Sequence, residues 1–157
     1  MGGNSLDNIC NGCTNLTSVN LPNITTVVSF GMTSAFRGCT SLTHVDLSSL
    51  SSVNGSNGIQ NAFYGCTSLT HVDLSSLSSV NGYVAIGSAF YGCTALQEVK
   101  FNNATAIPAI ATSTFQNTNS TFKIIVPDAL YSQWITATNW SARASQIVKV
   151  SEYTPAS

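Results

Sequence analysis

The sequence predicts an α/β repeat solenoid, and three observations carry that prediction. Residues 38–55 read GCTSLTHVDLSSLSSVNG, and residues 65–82 repeat the string without a change. A Gly-Cys pair recurs as Gly12-Cys13, Gly38-Cys39, Gly65-Cys66 and Gly92-Cys93, at steps of 26, 27 and 27 residues. Around each pair the apolar positions keep one register, while the residues between them are mostly Ser, Thr and Asn. Self-similarity at such a period is the signature of stacked supersecondary units. One unit cannot bury its apolar face alone, whereas stacked neighbours bury a continuous core.

The chain opens partway through a coil. Leu6 falls in the register of Met32, Ile59 and Ile86, and Ile9-Cys10 stands where later copies have Ala35-Phe36, Ala62-Phe63 and Ala89-Phe90. The start, Met1-Gly2-Gly3-Asn4, has no charged or apolar stretch of the secretory kind, so the chain reads as trimmed from a longer protein. Each coil then holds a strand. Val45 and Leu47 are two apart, as are Val72 and Leu74, so each pair shares one strand face. Strands of successive coils are expected to pair in parallel, about 4.8 Å apart.

Two further apolar registers lead out of the strand: Ile24, Leu50, Leu77 and Ala104, then Val27, Val53, Val80 and Ile107. Next, Ile59, Ala62, Phe63 and Cys66 sit at i, i+3, i+4 and i+7, and Ile86, Ala89, Phe90 and Cys93 repeat the pattern. That spacing predicts a short helix on the return side of each coil. Past the repeats, Val126-Pro127-Asp128 precedes Leu130, Tyr131, Trp134 and Ile135, the pattern of an amphipathic helix with Pro and an acid at its start. Trp140, Ala144 and Ile147 suggest a second short helix with Asn139 as N-cap. The chain therefore divides into a solenoid over 1–126 and a C-terminal cap and tail over 127–157. The cap's expected job is to cover the last open core face. Trp134 and Trp140 read as packing within it, with sugar stacking as the alternative.

The run AFYGCTSLTHVDL, followed by a further Leu and Val before the next Ala-Phe, resembles the BspA-like branch of leucine-rich repeat proteins. The resemblance covers residues 6–126. It implies a right-handed leucine-rich-repeat solenoid with one parallel sheet, short helices on the return side and a C-terminal helical cap. It also implies an extracellular or cell-surface protein that adheres to host or bacterial surface molecules. The coils here run longer than the usual repeat of that branch, and the additions fall in Asn54–Asn57 and Asn81–Val84.

Composition narrows the function further. Only 7% of residues are charged and the net charge is −1, so a basic nucleic-acid footprint is lacking. No run of 18 apolar residues is present, which excludes a spanning helix. The sequence holds no phosphate-cradling glycine loop and no nucleophile elbow, so it is read as a non-enzyme that needs no cofactor. Cys10 and Cys13 form a single C-x-x-C, which is half of a zinc site at most. Cys13, Cys39, Cys66 and Cys93 share one register and read as buried free thiols.

One cluster has chemical potential. Between the core positions of each strand, one outward register holds Ser18, His44, His71 and Glu98, and the next holds Asn20, Asp46, Asp73 and Lys100. Solenoid sheets are habitual binding surfaces. The candidate contact residues are thus Thr43, His44, Asp46, Thr70, His71, Asp73, Glu98 and Lys100, with Tyr64 and Tyr91 as secondary candidates. The partner expected is a protein or glycan on a host or bacterial surface. Three other readings stand beside it: solvated by-products of duplication, a purely structural spacer or stalk, and a divalent-metal-dependent binder using His44, His71, Asp46 and Asp73. Two imidazoles and two carboxylates suit zinc, but sheet twist makes adjacent rungs diverge.

Overall fold

The computed structural model describes residues 5–82 and 84–155. The chain start that was read as trimmed (Met1 to Asn4) and Tyr83 of the Asn81–Val84 loop lie outside the described residues. In chain order the strands are β1 (Ser18–Asn20), β2 (Thr26–Val28), β3 (His44–Asp46), β4 (Ser52–Asn54), β5 (His71–Asp73), β6 (Ser79–Asn81), β7 (Glu98–Lys100), β8 (Lys123–Val126) and β9 (Ile147–Lys149). Helix α1 covers Tyr131–Trp134.

The coils stack in register. A six-stranded parallel sheet runs β1-β3-β5-β7-β8-β9. Its inward rungs are Val19, Val45, Val72, Val99 and Ile124, matched in that order from strand to strand. The rows expected from spacing are present: Ser18, His44, His71 and Glu98 pair in sequence, as do Asn20, Asp46, Asp73 and Lys100. The first row continues to Lys123 on β8. A single sheet was expected, yet a second parallel sheet, β2-β4-β6, is built from the registers of Val27, Val53 and Val80.

The return side differs more. No α-helix forms among the described residues of 5–126; the spans that carry helical spacing are chains of turns. Two hydrogen-bond sets interleave there. Met32, Ser34, Phe36 and Gly38 donate N–H to carbonyls of the next coil, at Gly58, Gln60, Ala62 and Tyr64. The residues between them, Thr33, Ala35, Arg37 and Cys39, donate to the carbonyl three residues back. A helix would need every N–H for its own i−4 carbonyl. The left-handed residues Ser34, Asn61 and Ser88 (φ 54°, 54° and 50°) interrupt any helical run. Four residues after each, Gly38, Gly65 and Gly92 take φ of 71–72°, which is why the Gly-Cys pair begins with glycine.

The core lies between the sheets and the turns. Phe36, Phe63, Phe90 and Phe115 stack along it at centroid spacings of 5.8, 5.6 and 5.3 Å. Each core thiol donates back to a carbonyl of the preceding coil: Cys39 to Cys10, Cys66 to Phe36 and Cys93 to Phe63, at 3.0–3.1 Å. A small apolar side chain with a donor is what that position requires. Burial pushes the Cys66 thiol up to about 12.

The C-terminal segment closes the far end. The expected second helix is a 3-10 helix over Ser141–Gln146, and Ile147 opens β9 instead of extending it. Asn139 is not an N-cap. It sits at φ 66° and its amide donates to the Ile110 carbonyl at 2.6 Å. Trp134 and Trp140 are 0% and 1% exposed, which removes the sugar-stacking alternative. Both pack around Phe101, and Trp140 also meets Phe115.

Candidate binding face

The outer face of the six-stranded sheet presents the two polar rows, but most of their atoms serve the fold. Thr43 and Thr70 donate their hydroxyls to the carbonyls of Thr17 and Thr43 in the preceding coils, at 3.0 and 3.1 Å. Asp46 accepts from the backbone N–H and hydroxyl of Ser48, which holds its carboxyl below the ordinary carboxylate range. Asp73 accepts from the Ser75 N–H at 2.8 Å. These are turn-closing contacts of the Asx kind. They draw both aspartates toward their own chain rather than toward a shared point between the histidines. Among the described residues no group of three or more His, Cys, Asp or Glu is placed to hold a metal ion, so the zinc reading is not carried further.

His44 and His71 are open to solvent, as is Ser18 in the same row. His71 accepts or donates through Nδ1 to Thr70 Oγ1 at 2.8 Å, and its Nε2 lies 4.0 Å from Glu98. Glu98 departs from the expectation of an open surface position: it is only 5% exposed. Lys100 Nζ lies 2.9 Å from one carboxylate oxygen, and the Tyr153 hydroxyl donates to the other. Burial acts to raise the Glu98 carboxyl. The hydrogen bonds from Tyr153 and Lys100, with the nearby ammonium, outweigh burial and leave it below the ordinary range. Tyr153 is pushed to about 12 by its own burial and by the carboxylate it faces.

Tyr153 belongs to a C-terminal tail that crosses the sheet. Between tail and sheet lies a groove of about 550 Å³, lined by His71, Glu98 and Lys123 of the outer row and by Gln97, Asn119, Thr121 and Glu152–Pro155. Sequence reasoning missed Lys123, Tyr153 and the Asn119–Thr121 stretch. Lys123 was within reach of it, because Phe122-Lys123-Ile124 continues the strand register 25 residues after Glu98. Tyr153 carries no repeat signal at all.

The secondary candidates sit on the turn side. The rings of Tyr64 and Tyr91 stack at 4.6 Å, Arg37 covers the Tyr64 ring at 4.8 Å, and Asn117 donates to the Tyr91 hydroxyl at 2.9 Å. Tyr64 therefore has both ring faces occupied, which leaves it hydroxyl and edge for contacts.

A family model described as BspA type leucine-rich repeat region matches residues 6–133 in six copies. No curated protein matches the chain.

Proposed function

Since the chain belongs to the BspA-type leucine-rich repeat family, we propose that it is a non-catalytic interaction module. On this reading it acts at a cell surface or outside the cell and binds protein or glycan through the outer face of the six-stranded sheet. The observation that carries the reading is the groove on that face, which gathers side chains from four separate stretches of the chain beside the exposed His71. Clefts of this size that join apolar walls to a few polar groups are the usual form of a ligand site. His44 and His71 are exposed with Ser18 and Asn20, while half-buried Lys100 places its ammonium beside the groove carboxylate Glu98. Thr43 and Thr70 shape the face by tying adjacent coils together, and Asp46 and Asp73 by closing its turns.

No helix among the described residues is long and apolar enough to cross a membrane. A spacer role is the second reading, favoured by the number of outer polar groups already bonded to backbone. Glycan and extracellular-matrix arrays probed with the wild type and with a His44→Ala, His71→Ala, Lys100→Ala triple variant separate the two. Binding by the wild type that the variant loses is the expected outcome. Arrays left blank by the wild type favour the spacer.

A further inference from the structure

We propose that the groove beneath the C-terminal tail takes an acidic glycan, with Lys123 as the counter-charge for a pyranose carboxylate. The inference rests on the sheet face being a binding face and names the ligand class for it. Of the three lysines in the chain, Lys123 is the one that lines the groove. Lys100 is paired with Glu98 at 2.9 Å and Lys149 with Glu152 at 2.8 Å. Among the described residues, Lys123 has no carboxylate within ion-pair distance, although its side chain lines the groove. The two carboxylates that share the groove, Glu98 and Glu152, are each already matched by a lysine. What the groove offers an incoming ligand is therefore one unmatched positive charge.

The rest of the lining suits a sugar. Asn119 spends its side-chain oxygen on Thr121, which leaves its NH₂ group free to donate. Gln97 adds a second amide. Amides and hydroxyls at such positions exchange hydrogen bonds with sugar hydroxyls. Tyr153, anchored through its hydroxyl on Glu98, and Pro155 give an apolar wall for the C–H face of a ring. A peptide fits less well. Extended peptides bind sheets by adding to an edge, and this groove lies on the face, where β5, β7 and β8 already bond to one another or to a neighbouring strand.

The test uses the full chain, an array of matrix proteins and four immobilised probes: glucuronate- and sialate-terminated oligosaccharides, with neutral glucose- and galactose-terminated counterparts. Acidic probes are expected to bind over neutral ones. Lys123→Gln should lose about tenfold in affinity, the scale of one charge-assisted contact, while Lys123→Arg keeps most of it. An unchanged thermal melt for Lys123→Gln shows that its fold is intact. Equal binding of neutral and acidic probes, or no effect of Lys123→Gln, overturns the inference and leaves the sheet-face reading standing. Binding to matrix proteins with no glycan bound does the same. No binding to any probe or matrix protein removes both.

Discussion

At the scale of single residues, Glu98 shows how position in a stack changes the work of a side chain. Its counterparts His44 and His71 are exposed, whereas Glu98 is covered by the tail and held ionised by Lys100 and Tyr153. A carboxyl held below its ordinary pKa stabilises the fold above that ordinary value, and the contribution fades as pH falls through the folded value. Glu98→Gln should therefore melt below the wild type at neutral pH, with the gap closing below about pH 4. Melts across pH check this, and a gap that persists in acid refutes it. The two tryptophans form a second contrast. Trp140 Nε1 donates to the Pro108 carbonyl at 2.8 Å, while buried Trp134 Nε1 has no partner. Trp140→Phe should cost about 1–3 kcal/mol more than Trp134→Phe in urea unfolding, because it strands a buried carbonyl.

At the scale of elements, the return turns explain both a success and a failure of sequence reading. The i, i+3, i+4, i+7 spacing located the buried residues: Ile59, Ala62, Phe63 and Cys66 are all fully covered. It misidentified the backbone, because turns repeating every four residues share that periodicity with a helix. The left-handed positions were the available clue, as Asn57, Asn61 and the glycines tolerate them. Val84 does not, yet it takes φ 52° where the preceding coil has Asn57 at 61°. Val84→Asn should gain about 1 kcal/mol. Gly82 lies at the opposite extreme, since a Cβ there would stand 2.4 Å from the Gly55 carbonyl of the neighbouring coil. Gly82→Ala should cost about 2 kcal/mol or more. Chemical denaturation of both variants reads the two signs.

At the scale of the whole molecule, the two ends are unlike. The far end is sealed: Asn139, Trp140 and Arg143 donate to carbonyls at Ile110, Pro108 and Phe115, and Gln146 donates to Ser120. In the first described coil, Leu16, Val19, Leu21 and Ile24 are only half-buried, while their counterparts Leu42, Val45, Leu47 and Leu50 are 0% exposed. Stability in a stack is a sum of coil and neighbour contributions. Amides of Leu6, Asn8 and Cys10 should then exchange at least tenfold faster than those of Ile59, Asn61 and Phe63. Hydrogen exchange measures this, and uniform protection along the stack would contradict it.

The sequence by itself determined the stack, its register and its family, because a repeated apolar pattern leaves equivalent side chains only one way to be buried together. It also located the polar rows of the sheet. Tertiary structure alone decided which members of those rows are open to solvent. The hydroxyls and aspartates close onto backbone groups of other coils or turns, and a tail with no repeat signal folds over Glu98. Pairings between residues 55 positions apart, such as Tyr153 with Glu98, leave no local pattern, since they follow from where the cap sets the chain down.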